Sequence, residues 1–455
     1  MNQSKIVTRI APRAKHKHLL FSFIFVILNT TSSFIHANDL LYTFQQALQH
    51  DPTFKAAEAI KNSASEFKTQ SFAHFLPSIA ANANASQTNQ QLDKSAFVSN
   101  DQLGNNSFKS SEFSLKLRQP LLNWQAIQSY KTANLKQTKA EVDYRIAQQD
   151  LLYRVAKTYF LVLLKKEALF FARAEKKAIN TQLNLTKKRY ELGIVAITEV
   201  HEASARLDLA SANEIILETA LQIAESNLQN ITYSKIVRFK FLKENLPLIA
   251  PSPANIDSWV NTAKVQNLNI AVAQLEADIA KLQIDLIRAK RLPTIDLTTT
   301  LAYNTRGGPY REERQDNQIA FDMNLPLFGG NRISSEIRQA IFLYEAANQH
   351  TEAIERIALG ETRSAYLKVI AAMSFIKAIS QANISTEKAL NAIKAGFEIG
   401  AKSTKDVLDA QNLLYHNKRD HAQARHDYVL NTLKLKMSVG LLSINDLEQV
   451  NSWLE

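Results

Sequence analysis

The stretch "GFEIGAKSTKDVLDAQNLLY", residues 396–415, interrupts a long helical pattern and then resumes it. Gly400 can adopt the left-handed backbone that ends a helix at little steric cost. Ser403 or Thr404 can cap the helix that follows, because a hydroxyl accepts from free backbone N–H groups. The stretch therefore predicts a turn between two helices near residues 400–403.

A second stretch, "RYELGIVAITEVHEA" at residues 189–203, has the same character and predicts a turn near residues 193–198. Its Gly193 lies 207 positions before Gly400. The flanking segments agree as well, since "FLPSIAANAN" upstream of the first turn resembles "RLPTIDLTTT" upstream of the second. Two structural repeats within one chain are the direct interpretation.

Very long helices are predicted beside these turns. Two intervals, one in each repeat, lack proline and are rich in Ala, Leu, Gln, Glu and Lys. One helix is predicted from about Asn123 to Leu192, about 105 Å at 1.5 Å per residue, and another from Asn331 to about Gly396. Apolar or small residues recur at alternating spacings of three and four, which predicts coiled-coil packing. Examples are Leu152, Val155, Tyr159 and Val162, and the more polar series Val407, Ala410, Leu414, Asn417, His421, Ala424 and Tyr428.

Each repeat also contains two segments in which apolar and polar residues alternate, such as "PTIDLTTTLAY" and "NQIAFDMNLP". Period two over about ten residues is what a tilted outer-membrane strand needs. Strand pairs are predicted at about 75–119 and 293–327, with polar loops at 87–110 and 304–315. A small barrel needs about eight strands, so a closed barrel requires several protomers. The alternative is an ordinary hairpin on a soluble core.

The N-terminus combines a basic region, the apolar core "LLFSFIFVIL" and a small-residue exit. This order predicts a secretory signal peptide over residues 1–37, and the apolar core is too short to span a bilayer. An uncleaved anchor is the alternative. Loss of the segment would lower the formal charge from +11 to about +6. The basic balance therefore reflects export, and no nucleic-acid partner is predicted.

Several kinds of chemistry find no support in the sequence. The chain has no cysteine, which excludes disulfides, zinc–thiolate sites and thiol catalysis. His416, His421 and His426 are spaced by five, whereas a helical zinc site needs a spacing of four. Gly307 and Gly308 lack the following lysine of a phosphate cradle. A hydrolase is disfavoured because no nucleophile–base pair stands out, and the sequence predicts no enzyme, no cofactor and no dedicated metal site.

Strand pairs, very long helices, duplication and export together resemble the TolC family of outer-membrane efflux proteins. The two turn motifs carry the likeness, which extends over nearly the whole mature chain. It implies a mainly α fold with a β-barrel part. Long coiled-coil α-helical hairpins would form a trimeric α-barrel, and four strands per protomer would close a shared 12-stranded outer-membrane β-barrel.

On this basis the chain divides into five parts: a signal peptide (1–37), a first repeat (38–231), an equatorial connector (232–258), a second repeat (259–442) and a short C-terminal helix (443–455).

The resemblance implies an outer-membrane exit duct of a tripartite efflux pump or a type I secretion system, exporting drugs or proteins. Its implied partners are two further copies of the chain, a periplasmic adaptor (membrane fusion) protein, an inner-membrane pump and outer-membrane lipid. The implied location is the outer membrane of a Gram-negative bacterium, with a large periplasmic part. The rival interpretation is a soluble periplasmic coiled-coil adaptor or scaffold, which would explain the helices but not the strand pairs.

The resemblance also assigns residues of the periplasmic entrance. Asp406 and Asp409 are expected to form acidic rings at the aperture, which would select cations and offer a place for cation block. The alternative is a solvated acidic face near a helix N-terminus. Gly193 and Gly400 are expected at hairpin tips where the adaptor docks.

An entrance latch is expected at Thr198, Glu199, Phe397 and Lys402. Other members of the family have tyrosine in place of Phe397 and arginine in place of Lys402, so a hydroxyl contact and a forked guanidinium contact are absent. A Glu199–Lys402 link and a more loosely latched entrance are the resulting hypotheses.

Overall fold

A computed structural model describes residues 39–92, 104–234, 236, 239–307 and 311–455. The predicted signal peptide lies outside these residues, as do the middle of the first predicted polar loop and Gly308. In the described part, the first repeat contains α1 (Leu40–His50), α2 (Pro52–Ala73), β1 (Ser78–Leu92), β2 (Gly104–Leu122), α3 (Trp124–Glu191) and α4 (Ile197–Thr232). The second contains α5 (Ile256–Gln266), α6 (Leu268–Ala289), β3 (Thr294–Arg306), β4 (Glu312–Asn324), α7 (Arg332–Glu398) and α8 (Thr404–Ser438), and α9 (Ile444–Asn451) follows.

The duplication predicted from the sequence is confirmed element by element. The short helices α1 and α5 have 11 residues each, and α2 and α6 have 22 each. The long helices α3 and α7 have 68 and 67 residues, and their partners α4 and α8 have 36 and 35. The predicted spans of the two long helices agree with α3 and α7 to within about two residues.

The four strands form one antiparallel meander in the order β1-β2-β3-β4. Pairing between β2 and β3 joins the two repeats, with Leu115 opposite Leu301. Alternation along the strands gives the sheet two unlike faces. One face carries exposed apolar side chains: Ile79, Phe113, Leu115, Leu301, Ile319, Phe321 and Met323. The other carries a polar network in which Arg118 pairs with Asp296 at 2.6 Å.

The predicted polar loops were too wide, since both hairpins extend into them. In the first, β1 pairs with β2 as far as Leu92 opposite Gly104. In the second, β3 reaches Arg306 and β4 begins at Glu312. Hydroxyl and amide side chains hydrogen-bond across the first hairpin, as between Ser86 and Ser110 at 2.8 Å. Polar residues can therefore continue a ladder that composition alone assigns to a loop.

The core lies at the seam between α3 and α8, where α1, α9 and the connector cover it. The seam residues predicted on α3, from Leu152 to Val162, are buried. The more polar series on α8 is mixed, because Val407 and Tyr428 are buried while Asn417 and His421 are half-buried. The C-terminal helix is confirmed as α9. Ser443 is its N-cap residue and forms a capping box at the start of the helix.

Buried charges tie α3, α8 and the connector together. Glu167 on α3 accepts a hydrogen bond from Arg425 at 3.0 Å and lies 3.4 Å from Nε2 of His426. Arg425 also donates to the carbonyl oxygens of Leu242 and Lys243 in the connector. Burial opposes the charged form of Glu167, but His426 and Arg425 outweigh it and hold the pKa of that carboxyl below its ordinary value of 4.5.

No helix in the described residues is both long enough and apolar enough to cross a bilayer.

Candidate functional site at the hairpin tips

The first tip joins α3 to α4 through Gly193, whose φ of +72° is in the left-handed region. Its N–H donates to the Tyr190 carbonyl at 2.8 Å, and the N–H of Ile194 donates to the Arg189 carbonyl at 2.8 Å. These bonds satisfy the last free carbonyls of α3 in the manner of a Schellman motif. The turn then reverses the chain within a few residues.

The second tip repeats this geometry between α7 and α8. Gly400 has a φ of +78°, and its N–H donates to the Phe397 carbonyl at 3.1 Å. Nothing lies within 4 Å of a Cβ built at Gly193 or Gly400. Backbone conformation alone therefore requires glycine at both positions, as predicted. Gly396 differs, because a Cβ there would lie 2.9 Å from Cγ of Lys402.

Asp406 is held at the start of α8 by its own helix. Its carboxylate accepts from the backbone N–H of Ser403 at 2.9 Å and from the Ser403 hydroxyl at 3.0 Å. In return, the Asp406 N–H donates to that hydroxyl at 3.2 Å, which completes a capping box. The two Ser403 bonds, with the nearby charges of Lys402 and Lys405, lower the pKa of Asp406, so it is ionised at neutral pH.

Asp409 is held by a different element. Its Oδ1 lies 2.7 Å from Nη2 of Arg206, which projects from α4 in the first hairpin. The side chain of Asp409 is 50% exposed and that of Arg206 is 37% exposed. The two acids that the sequence groups together thus have partners on different hairpins.

The expected latch residues lie between the same two tips. Oε2 of Glu199 accepts from the Thr404 N–H at 3.3 Å. Phe397 is buried, whereas Thr198 and Lys402 are exposed. Among the described residues of one protomer, Glu199 and Lys402 form no ion pair, and the expected link between neighbouring hairpins stays a prediction.

Three contacts at the tips were missed by sequence reasoning. Arg189 places its guanidinium carbon 4.4 Å from the centroid of the Phe397 ring and donates to the Phe397 carbonyl at 2.7 Å. The buried hydroxyls of Thr186 and Thr404 lie 3.1 Å apart. The third contact is the pair of Arg206 with Asp409. Arg206 follows Glu199 by seven residues and so shares its face of α4, which is the one signal that points to it.

A small apolar cluster lies behind these polar contacts, formed by Ile179, Leu183, Ala203 and Leu408. It joins α3, α4 and α8, so the two hairpins of one protomer are docked against each other at their tips. In the described part of the chain, no group of three or more His, Asp and Glu side chains is arranged to hold a metal ion.

Comparison with known proteins places this architecture. The family described as outer membrane efflux protein matches residues 43–232 and 259–441. The chain is 33% identical to outer membrane protein TolC of Vibrio cholerae, covering 96% of this chain and 99% of that one. It is 30% identical to outer membrane protein TolC of Escherichia coli, covering 96% and 89%. It is 24% identical to alkaline protease secretion protein AprF of Pseudomonas aeruginosa, covering 90% and 86%.

Solved structures share the fold. The outer membrane protein VceC of Vibrio cholerae superposes with a TM-score of 0.74 at 20% identity, covering 89% of this chain and 97% of that one. The Campylobacter jejuni CmeC outer membrane channel gives a TM-score of 0.76 at 16% identity, covering 91% and 90%. The resemblance to the TolC family is confirmed, and the chain belongs to the outer membrane efflux protein family.

Proposed function

We propose that this outer-membrane exit duct works as a homotrimer that receives cargo from an inner-membrane pump through a periplasmic adaptor. One observation carries the proposal: in the part of the chain that the structure describes, a four-stranded sheet with two open edges stands on long helical hairpins whose glycine tips are docked together. The sheet supplies the outer-membrane part and the tips supply an entrance. Drugs and proteins are both candidate cargo, since relatives include TolC proteins and a protease secretion protein.

Edge chemistry supports the trimer. Unpaired strand edges cannot face hydrocarbon, because each free N–H or C=O there costs several kcal/mol. Pairing of β4 in one copy with β1 in the next removes every edge when the ring closes. Exposed apolar side chains on α4 and α7 suit the same arrangement, since neighbouring copies would cover them. They include Leu209, Ile215, Ile216, Phe342 and Ile357.

The entrance is the second part of the proposal. Asp406 and Asp409 from three copies form acidic rings, which attract cations in a narrow throat. Thr198, Glu199, Phe397 and Lys402 hold neighbouring hairpins together, and the tips at Gly193 and Gly400 receive the adaptor. Their support is the placement of all eight residues at the docked tips.

Localisation and assembly test the first part. We expect the protein in the outer-membrane fraction as a trimer that resists SDS until it is heated. A monodisperse monomer in the aqueous periplasmic extract would instead favour the soluble adaptor or scaffold. Crosslinking in cells, followed by capture of the trimer, should retrieve an adaptor and a pump.

Conductance tests the entrance. Purified trimers in planar bilayers should pass a small closed-state current that multivalent cations block, and the double variant Asp406→Ala with Asp409→Ala should lose the block. Glu199→Ala and Lys402→Ala should each raise the closed-state current. Equal block in wild type and the double variant would show that these acids do not line the throat. An unchanged current in Glu199→Ala and Lys402→Ala would show that their link is not the latch.

A further inference from the structure

We propose that Arg206 masks the charge of Asp409 while the two hairpin tips of a protomer are docked, and that separation of the tips exposes it. The aperture would then carry one unmasked acid per protomer when closed and two when open. This inference rests on the proposed function, in which both acids face the throat.

The first step is the position of the pair. Arg206 is on α4 in the first hairpin, and Asp409 is on α8 in the second, 203 positions further along the chain. Among the described residues, each is the other's only ion-pair partner. The pair therefore exists only while α4 and α8 lie side by side.

The second step is the contrast with Asp406. The Ser403 groups that bind Asp406 belong to the start of the same helix. They move with Asp406 when α8 moves, whereas Arg206 stays with α4. Tip separation therefore changes the surroundings of Asp409 and leaves the cap of Asp406 intact.

The third step is that several other contacts cross the interface in which the pair lies. The Glu199–Thr404 bond, the Thr186–Thr404 contact and the Arg189–Phe397 stack all cross between the same two hairpins. A half-exposed ion pair adds little to the strength of that interface. Its main effect is electrostatic, because a guanidinium 2.7 Å from a carboxylate cancels most of its field at longer range.

The consequence concerns cations. A closed entrance would attract them weakly, through Asp406, and an open one strongly, through both rings. Cation affinity at the aperture would thus report whether the tips are docked. A neutral residue at position 206 would remove this dependence.

The experiment measures the half-blocking concentration of hexaamminecobalt(III), added to the tip side of trimers in planar bilayers. Arg206→Gln should lower that concentration about threefold or more, because Asp409 becomes unmasked. Arg206→Lys, which keeps the charge, should behave as wild type. The double variant Arg206→Gln with Asp409→Asn should have the same half-blocking concentration as Asp409→Asn alone.

A matched control is Arg173→Gln, because Arg173 pairs with Glu214 at 2.9 Å within the first hairpin. It should leave the block unchanged. All variants are checked for SDS-resistant trimers, and the block of each is measured relative to its own current without the cation, which separates unmasking from a loosened gate.

The inference is overturned if the cation blocks Arg206→Gln and wild-type channels at the same concentration while Asp409→Asn still weakens the block. In that case the proposed role of the acids in the aperture is retained, and only the masking by Arg206 is rejected. If neither aspartate affects the block, the proposed aperture fails and the inference fails with it.

Discussion

At the scale of single residues, Phe397 shows how one ring can join two hairpins without a hydroxyl. The ring is buried, and the Arg189 guanidinium covers it at 4.4 Å while donating to its carbonyl at 2.7 Å. The carbonyl lies at the C-terminus of α7, where the helix dipole favours a positive charge. Arg189 therefore joins the two hairpins through the ring and the backbone carbonyl of Phe397, neither of which needs a hydroxyl.

We predict that Arg189→Ala loosens the docked tips. It removes a charge-assisted hydrogen bond and a cation–π contact, together worth about 2 kcal/mol. Closed-state conductance should rise, and amide hydrogen exchange near residues 397–404 should accelerate. Lys187→Ala, at an exposed position two residues earlier, is the control and should change neither readout. An Arg189→Ala trimer with wild-type current would contradict the prediction.

The cap at Asp406 predicts a pH dependence. Its pKa is lowered in the folded chain by the Ser403 bonds, so ionisation stabilises the start of α8. That contribution is complete above the ordinary value of 3.8 and is lost as the pH falls through the lower, folded value. Exchange of the Ser403 amide should therefore accelerate below about pH 4. In Asp406→Asn that acid-dependent step should be missing; if it persists, another group is responsible.

At the scale of helices and turns, three glycines illustrate different reasons for the absence of a side chain. Gly400 needs only a left-handed backbone, whereas at Gly440 a Cβ would also collide with the Gln266 carbonyl. Gly360 lies inside α7 with open space around it. A sequence identifies all three as glycine but cannot separate them, because the distinction depends on what packs nearby.

Alanine should be most damaging at Gly440, less damaging at Gly400 and stabilising at Gly360. Gly400→Ala should cost about 1–2 kcal/mol at the tip alone, since the backbone must stay left-handed. Gly440→Ala should strongly reduce the yield of trimer because the clash is with backbone. Gly360→Ala should stabilise α7 by up to about 1 kcal/mol. Trimer yield and the midpoint of thermal unfolding measure all three, and a Gly440→Ala trimer as stable as wild type would refute the clash.

The seam between α3 and α8 depends on its buried charges. We predict that Glu167→Gln destabilises the protein by about 3–5 kcal/mol, because Arg425 and His426 lose their carboxylate inside the core. Since the pKa of Glu167 is lowered on folding, its contribution is complete above the ordinary value of 4.5 and is lost below it. Thermal unfolding in detergent at pH 7 and pH 4 should show a smaller difference from wild type at pH 4.

Glu225→Gln is the control for this prediction, because Glu225 pairs with Lys166 nearer the surface. It should cost less than about 1 kcal/mol at either pH. A Glu167→Gln protein as stable as this control would show that the buried cluster contributes little.

At the scale of the whole molecule, residues near each helix end were enough to predict the long helices, whereas contacts between residues far apart in the chain were not predicted. The ends of α3 and α7 follow from glycine, proline and capping residues that act within a few positions. The Arg206–Asp409 pair could not be predicted, because its members meet only after both hairpins have formed. The strand ends could not be predicted either, because serine and glutamine become strand residues only when a partner strand accepts their hydrogen bonds.

The two faces of the sheet predict an asymmetry in the outer membrane. Phe321 belongs to the exposed apolar face, and Gln318 belongs to the opposite face, where it pairs with Thr300. Phe321→Lys should reduce trimer in the outer-membrane fraction, because a lysine on the lipid face costs up to about 2–4 kcal/mol, less with distance from the bilayer midplane. Gln318→Lys should leave the amount of trimer unchanged. Equal loss in both variants would mean that the faces are assigned the wrong way round.

The open edges of β1 and β4 have a genetic consequence. In the described part of the chain, neither edge has a partner strand, so in the proposed ring every copy depends on both neighbours. One copy with a damaged β4 edge then prevents the whole ring of three from closing. If half of the copies in a cell were damaged, only about one ring in eight would consist of sound chains. Such an allele would be dominant over a healthy one.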